Sequence, residues 1–267
     1  MPLRTVRILC FGDSLTCGYT QDGTMYHPYA HNMMKILRMA FPEVKLDISV
    51  EGEAGDYVCP PQGYFYQRLK AKWDEALKRD ETYDWVLLLG GTNDLGDRNV
   101  TVEEIFTNLE KMHDFCFARG AKVMAMTIPE CGAQISWLNE RRNAVNDMIR
   151  NCPKDKYYVF DLHTEMPYHK LSQYRRKVIW DDGLHFTTMG YSLLGGKVAD
   201  YFLPLLRNHI NTMPRDPPSP ISPSVLAVRR RSRAKSDAAD DKNFEEEQGD
   251  PKVLSQGYII VRKRDLD

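Results

Sequence analysis

The stretch Arg7-Ile8-Leu9-Cys10-Phe11-Gly12-Asp13-Ser14-Leu15 decides the fold of this chain, because an apolar run gives way abruptly to turn-forming residues. The apolar half predicts a buried strand. Gly12, Asp13 and Ser14 predict a turn directly after it, with the serine exposed at the carboxyl end of the strand. In an open sheet of parallel strands, that edge is where functional groups gather.

The first 211 residues repeat this pattern, with strand and helix signals in alternation. Predicted strands lie near 5–11, 45–50, 84–89, 121–128 and 157–162, and predicted helices lie near 28–41, 62–79, 101–119, 136–150 and 187–208. Thr101 and Glu104 have the spacing of a capping box at the start of the third long helix. Such alternation indicates a parallel sheet between two helical layers, and five strands favour a flavodoxin-like order. The predicted fold class is therefore a three-layer α/β/α sandwich.

Residues 212–267 differ in composition from this body. A proline-rich stretch begins at Pro214, and proline cannot continue a helix. A basic run (229–235) and an acidic run (237–250) follow, and segregated charge with few apolar residues predicts a disordered tail. The tail is interpreted either as a solvated linker or as a nuclear address or kinase site at Ser232 or Ser236. A β-prone run at 257–262 is the exception and is predicted to dock as a strand.

Composition excludes several classes of protein. The 267 residues carry 36 basic and 37 acidic side chains, a net charge of -1, which argues against a nucleic-acid or membrane-surface binder. No apolar stretch approaches the roughly 18 residues that span a bilayer, and no apolar signal region precedes the first strand. The six cysteines show neither a Cys-x-x-Cys pair nor Cys/His metal spacing, so no metal or other cofactor is expected. We expect a cytoplasmic protein with reduced thiols; the partner of the tail is unknown.

Polar clusters elsewhere in the chain complement Ser14. Asn93 follows the predicted strand at 84–89 and should project from the same sheet edge as Ser14. A serine hydroxyl becomes a good nucleophile when a neighbouring base takes its proton, and His185 is the imidazole best placed for this. Asp182 lies three residues earlier and can hold the imidazole N–H. Each cluster alone could be turn or capping chemistry, but together they predict Ser14, His185 and Asp182 as catalytic residues.

The clusters resemble the four sequence blocks of the SGNH, or GDSL-type, serine hydrolases over roughly residues 5–210. The matching segments are Gly12-Asp13-Ser14-Leu15, Gly90-Gly91-Thr92-Asn93-Asp94 and Asp182-Gly183-Leu184-His185, with Gly55 the best candidate for the remaining block and Gly52 its rival. The resemblance implies an oxyanion hole made of the Ser14 N–H, the Gly55 N–H and the Asn93 side-chain amide. No Gly-x-Ser-x-Gly elbow of the α/β-hydrolase type is present.

The remaining histidines and cysteines have weaker claims to a role. His113 and His209 fall in helices and are predicted to lie on solvated faces, while His163 is a candidate supporting residue. His27 and His31 are interpreted either as substrate-side residues or as helix-start packing. Cys17, Cys59 and Cys131 follow predicted strands and are expected to be small wall residues without a redox role.

Aromatic side chains are the candidate walls of the substrate crevice, with packing in the helix core as the alternative. They are Tyr26, Tyr29, Tyr57, Tyr64, Phe65, Tyr66, Trp137 and Trp180. No long lid interrupts the blocks, which favours small-molecule esters over lipid aggregates. The leading prediction is a serine esterase that hydrolyses short-chain or acetyl carboxylic esters through an acyl-enzyme. The alternatives are an acyltransferase that uses the same intermediate and a non-catalytic interaction protein on this scaffold.

Overall fold

The structure is a computed structural model that describes residues 3–213, 244–247 and 259–262. Its strands are β1 (Arg4–Gly12), β2 (Tyr19–Thr20), β3 (Met25–Tyr26), β4 (Val44–Gly52), β5 (Trp85–Leu89), β6 (Lys122–Met126), β7 (Tyr157–Phe160), β8 (Phe244–Glu247) and β9 (Ile259–Arg262). Its helices are α1 (Ser14–Cys17), α2 (Tyr29–Ala40), α3 (Phe65–Leu77), α4 (Val102–Phe117), α5 (Ser136–Arg150), α6 (Leu162–Glu165), α7 (Gln173–Ile179) and α8 (Thr188–Thr212).

Five strands form one sheet in the order β4-β1-β5-β6-β7, with every neighbouring pair parallel. Numbered among themselves along the chain, these strands have the flavodoxin-like order 2-1-3-4-5. All five residues of β5 are buried, as a parallel strand covered on both faces requires. The predicted fold class is confirmed for this part of the chain.

Helices cover both faces of the sheet because successive residues of each strand point to opposite sides. Leu9 and Phe11 join a hydrophobic cluster with α3, α4 and α5. On the opposite face, the Trp85 ring packs edge-on against Phe202 of α8, with ring centroids 4.8 Å apart. Helix α8 lies against α2 so closely that a Cβ built on Gly195 would be 2.3 Å from the carbonyl oxygen of Tyr29.

The capping box predicted at the start of α4 is present. The Thr101 hydroxyl accepts the Glu104 N–H at 3.1 Å, and the Glu104 carboxylate accepts the Thr101 N–H at 2.7 Å. These two bonds satisfy donors that the first turn of a helix leaves without intrahelical partners. The predicted start of this helix is therefore correct to within one residue.

The chain divides into two units, Met1–Thr212 and Met213–Asp267. In the second unit, β8 and β9 pair antiparallel. Composition predicts no regular structure in the acidic run, but β8 lies within it. Its strand partner, β9, coincides with the β-prone run at 257–262. The docking of this run remains a prediction.

The proline-rich stretch, the basic run, Ser232 and Ser236 lie outside the described residues. Within the described part of the chain, no helix has the length and apolarity needed to cross a membrane.

Candidate active site

Ser14 lies where β1 ends and α1 begins. Asp13 precedes it as the helix N-cap, and its carboxylate accepts the Leu15 N–H at 3.0 Å. Burial raises the pKa of Asp13 to about 6, partly offset by that hydrogen bond. Ser14 itself is only 5% exposed, so the expected exposed turn is wrong. Ser14 begins a short buried helix, and the packing of neighbouring segments around that helix holds the Ser14 side chain in a defined position.

The structure brings Ser14, His185 and Asp182 into one line of hydrogen bonds. The Ser14 hydroxyl is 2.9 Å from Nε2 of His185, and Nδ1 of His185 is 2.6 Å from a carboxylate oxygen of Asp182. The other Asp182 oxygen accepts the N–H groups of Leu184 and His185 at 2.8 and 2.7 Å. The backbone N–H groups of its own turn therefore hold the Asp182 carboxylate in place. The carboxylate then holds the imidazole of His185 through its hydrogen bond to Nδ1.

Electrostatics of this turn favour the charged carboxylate. Partial burial alone would raise the pKa of Asp182, but the hydrogen bonds from His185 and Leu184 outweigh it, and the pKa lies below its ordinary value. The Tyr19 ring packs on the imidazole, with centroids 4.6 Å apart, and restricts its rotation. A negative group behind a restrained imidazole can stabilise the imidazolium that forms when His185 accepts a proton.

Asn93 and Gly55 lie on two loops that are tied together. The Asn93 side-chain amide donates to the Asp56 carbonyl at 2.7 Å. Both oxygens of the buried Asp94 hold the same loop, accepting the N–H groups of Val58 and Cys59 at 3.0 and 2.9 Å. Gly55 is exposed with a φ of 80°, a backbone conformation that favours glycine.

The rival glycine of this block has a packing role. A Cβ built on Gly52 would lie 2.3 Å from the Cys17 nitrogen and 2.8 Å from the Asp13 carbonyl oxygen. The absence of a side chain there lets the end of β4 approach α1. This close approach accounts for Gly52 without a role in binding an oxyanion, which leaves Gly55 as the candidate donor.

Arg68 and Asp56 brace this region and were not identified from sequence. The Arg68 guanidinium donates to the Asp56 carboxylate at 2.8 Å and to the Gly12 carbonyl at 2.7 Å. It also lies 4.8 Å from the centre of the Phe11 ring. The Gly55 loop is thereby connected to the end of the strand that carries Ser14. One sequence signal for Arg68 was available: it directly precedes Leu69, which lies on the buried face of α3.

A cleft of about 570 Å³ borders Asn93 and Asp182. Its apolar walls include Leu95, Ile128 and Leu138, and its polar lining includes Arg142 and Tyr168. None of the eight aromatic residues predicted as crevice walls is among the residues that line it. Tyr29, Phe65 and Trp180 are buried in the core, whereas Tyr26 of β3 and Tyr64, which directly precedes α3, are exposed.

Histidines outside this line of hydrogen bonds depart from expectation in two places. His113 is fully buried between α4 and β7, and burial lowers its pKa to about 3. His209 is also largely covered, with its Nδ1 3.1 Å from the Lys122 ammonium. The expected solvated faces are therefore wrong for both. His27 contacts the Ser192 hydroxyl at 3.0 Å, and burial lowers the pKa of His163.

The three cysteines near the sheet edge have suppressed acidity or are buried. Burial raises the pKa of Cys17 to about 11 and that of Cys59 to about 12. Cys131 is buried and lines the cleft. Because thiolate is the reactive form, the raised values indicate that Cys17 and Cys59 are unreactive thiols at neutral pH. Neither of these two lines the cleft, so the expected wall position holds for Cys131 alone.

The parallel sheet in this order, with polar groups gathered at its carboxyl edge, defines an SGNH-type hydrolase fold. The chain belongs to the GDSL-like lipase/acylhydrolase family, whose model matches residues 10–193. Enzymes of this family hydrolyse ester bonds, and this chain is an ester-hydrolysing enzyme of that type. A comparison with curated protein sequences finds no match.

Solved structures with the same fold include three proteins from bacteria. A lipase/acylhydrolase from Enterococcus faecalis is 26% identical with a TM-score of 0.53, covering 74% of this chain and 95% of that one. A carbohydrate acetylesterase from Sinorhizobium meliloti is 20% identical with a TM-score of 0.55, covering 75% and 99%. An acetylxylan esterase from Geobacillus stearothermophilus is 19% identical with a TM-score of 0.55, covering 75% and 95%.

Proposed function

We propose that this enzyme hydrolyses short-chain or acetyl carboxylic esters through an acyl-enzyme on Ser14, with His185 as the base and Asp182 as the acid that orients it. The observation that carries the proposal is the pair of contacts made by the His185 ring, 2.9 Å to the Ser14 hydroxyl and 2.6 Å to Asp182. These are the distances at which a serine proton can pass to an imidazole whose tautomer is fixed.

In the proposed first half-reaction, the Ser14 oxygen attacks the ester carbonyl carbon while its proton moves to Nε2 of His185. The carbonyl oxygen gains negative charge, which the Ser14 N–H, the Gly55 N–H and the Asn93 amide would stabilise. The tetrahedral intermediate collapses, the ester C–O bond breaks, and the imidazolium gives its proton to the departing alcohol. The products of this half are the free alcohol and the acylated serine.

In the second half-reaction, water takes the place of the alcohol. His185 accepts a proton from the water as its oxygen attacks the acyl carbon, and the same donors stabilise the oxyanion. The bond to Ser14 then breaks and the imidazolium returns a proton to the serine oxygen. The carboxylic acid leaves and the enzyme is restored.

The lining of the cleft, in which a few apolar side chains stand among polar groups, supports a preference for small acyl or alcohol groups. About 570 Å³ with walls from Leu95, Ile128 and Leu138 accommodates a short apolar group beside Asn93. Hydrolysis of p-nitrophenyl esters from acetate to decanoate should therefore be fastest for the shortest chains. Steadily rising kcat/KM up to decanoate would contradict this preference.

The nucleophile is tested by Ser14→Ala, which should abolish hydrolysis and labelling by a fluorophosphonate. Ser192→Ala is a matched control, because the Ser192 hydroxyl also contacts a histidine ring, that of His27, at 3.0 Å. The control variant should retain both activities. Ester hydrolysis that survives Ser14→Ala would overturn the assignment. Product analysis with an added alcohol separates hydrolysis from acyl transfer, since only transfer yields a new ester.

A further inference from the structure

Arg142 places a buried positive charge in the wall of the cleft. It projects from α5, lines the cleft and is only 4% exposed. Its Nη1 donates to the Asn139 side-chain oxygen at 2.6 Å and its Nη2 to the Cys131 sulfur at 3.0 Å. Neither acceptor is a carboxylate, and the buried Nε has no hydrogen-bond partner among the described residues.

Arg68 and Arg141, two other arginines of the body, have an ionic partner or several backbone acceptors. Arg68 forms an ion pair with Asp56. Arg141, the neighbour of Arg142 in sequence, donates to backbone carbonyls of the 94–100 loop, at 3.1 Å to Leu95, 3.0 Å to Asp97 and 2.6 Å to Val100. Among the described residues, no carboxylate lies within 4.0 Å of the Arg142 guanidinium, in contrast to Arg68.

The carboxylates closest to the cleft are already engaged. Asp182 holds His185 and two backbone N–H groups. Glu130 accepts the N–H groups of Tyr168 and His169 at 2.6 and 2.9 Å. Asp94 accepts two further N–H groups from the Gly55 loop. A buried cation without an anionic partner is unfavourable, because it has lost hydration and gained little in return.

We propose that Arg142 binds a carboxylate of the substrate, so that the preferred ester carries a negative charge on the group that occupies the cleft. This inference rests on the proposed esterase function and names its substrate class. A guanidinium presents paired N–H donors that match the two oxygens of a carboxylate. Arg142 is the one lysine or arginine among the described residues that line the cleft, which matches a single negative charge better than a phosphate dianion. The apolar walls suit a short hydrocarbon spacer between ester and carboxylate.

The test compares esters that differ in one charge. One pair, 4-acetoxybenzoate and 4-acetoxybenzamide, places the charge on the alcohol side, and the other, mono-4-nitrophenyl adipate and 4-nitrophenyl hexanoate, places it on the acyl side. The unaltered enzyme should prefer the anionic member of at least one pair by about ten- to a hundredfold in kcat/KM, the range of a charge-assisted hydrogen bond. Arg142→Met should reduce this ratio to about one, chiefly by lowering kcat/KM for the anionic member.

A charge-matched control excludes a general electrostatic effect. Arg119→Met removes the same charge outside the cleft, where Arg119 donates to the Phe115 carbonyl, and should leave the preference intact. Arg142→Gln keeps hydrogen-bonding capacity toward Asn139 and replaces Arg142→Met if circular dichroism shows that the methionine variant is unfolded. Absence of a preference in both pairs, or a preference unchanged by removal of the Arg142 charge, would overturn the proposal.

A binding measurement separates this inference from the proposed function. Adipate should bind the Ser14→Ala protein in calorimetry and bind at least tenfold more weakly when Arg142 is also replaced by Gln. If no ester is hydrolysed but this difference is found, the esterase proposal fails and the anion site stands. If neutral esters are hydrolysed through Ser14 and adipate binds both proteins equally or neither, the esterase proposal stands and the anion site fails.

Discussion

His113 should make the folded protein less stable as the pH falls from 7.5 to 5.0. Burial lowers its pKa to about 3, with the Lys154 charge adding to the effect, whereas the unfolded chain has a histidine pKa near 6.5. Below about pH 6.5 the unfolded state therefore binds a proton that the folded state refuses. As the pH falls from the unfolded pKa to the folded pKa, the stabilisation that is present at higher pH is progressively lost. Between pH 7.5 and 5.0 the loss is about 2 kcal/mol for this one side chain.

The measurement is urea unfolding at these two pH values for the unaltered protein and for His113→Leu. The variant should lack this 2 kcal/mol part of the pH dependence. It should also be more stable at pH 5.0, because neither ring nitrogen of His113 has a hydrogen-bond partner among the described residues. His31→Leu, which replaces an exposed histidine, is the control and should behave like the unaltered protein. An identical pH dependence in His113→Leu would refute the reasoning.

Other perturbations test the site and the tail. Asn93→Ala should lower kcat by about 10²-fold with little change in KM, because the lost hydrogen bond is made mainly in the transition state; a change confined to KM would assign Asn93 to ground-state binding. Arg68→Met should lower kcat and melting temperature together by releasing Asp56 from the end of β1, whereas unchanged kcat would show that the Gly55 loop holds its shape alone. Maleimide labelling of Cys17 should be slow at pH 7 and accelerate about tenfold per pH unit toward pH 9, as its raised pKa of about 11 requires; a rate independent of pH in that range would contradict the burial argument. A chain that ends at Met213 should fold and retain kcat/KM on a small ester, because the proposed catalytic residues all precede α8; lost activity would place a needed element in the tail.

Local patterns predicted the sheet and helices well because the signals are strong. The apolar run before Gly12 and the buried run 85–89 become β1 and β5, and their carboxyl ends carry Ser14 and Asn93 toward the same edge. The Thr101 capping box fixes where α4 begins. The spacing of Asp182 and His185 puts both on one turn, so their contact follows from local geometry. These features depend on neighbours in sequence, which a single chain displays directly.

Features that depend on which helix face meets which strand were predicted poorly. His113 follows Met112 in α4, and polarity alone assigned it to solvent, although the helix turns its ring onto Tyr157 with centroids 5.2 Å apart. Arg142 was not identified at all. It lies on the same helical face as Leu138, Val145 and Ile149, and this period was the available signal for a buried arginine. Tyr168 reaches the cleft from an irregular connector, for which no sequence period exists.

The close approach of α8 to α2 at Gly195 has a consequence for the newly made protein. Ser14 emerges from the ribosome well before the turn with Asp182 and His185, and that turn is held in place by α8, the helix that follows it. A nascent chain therefore carries its proposed nucleophile long before it carries the base. The proposed mechanism therefore predicts that a chain released before α8 has been made does not hydrolyse esters.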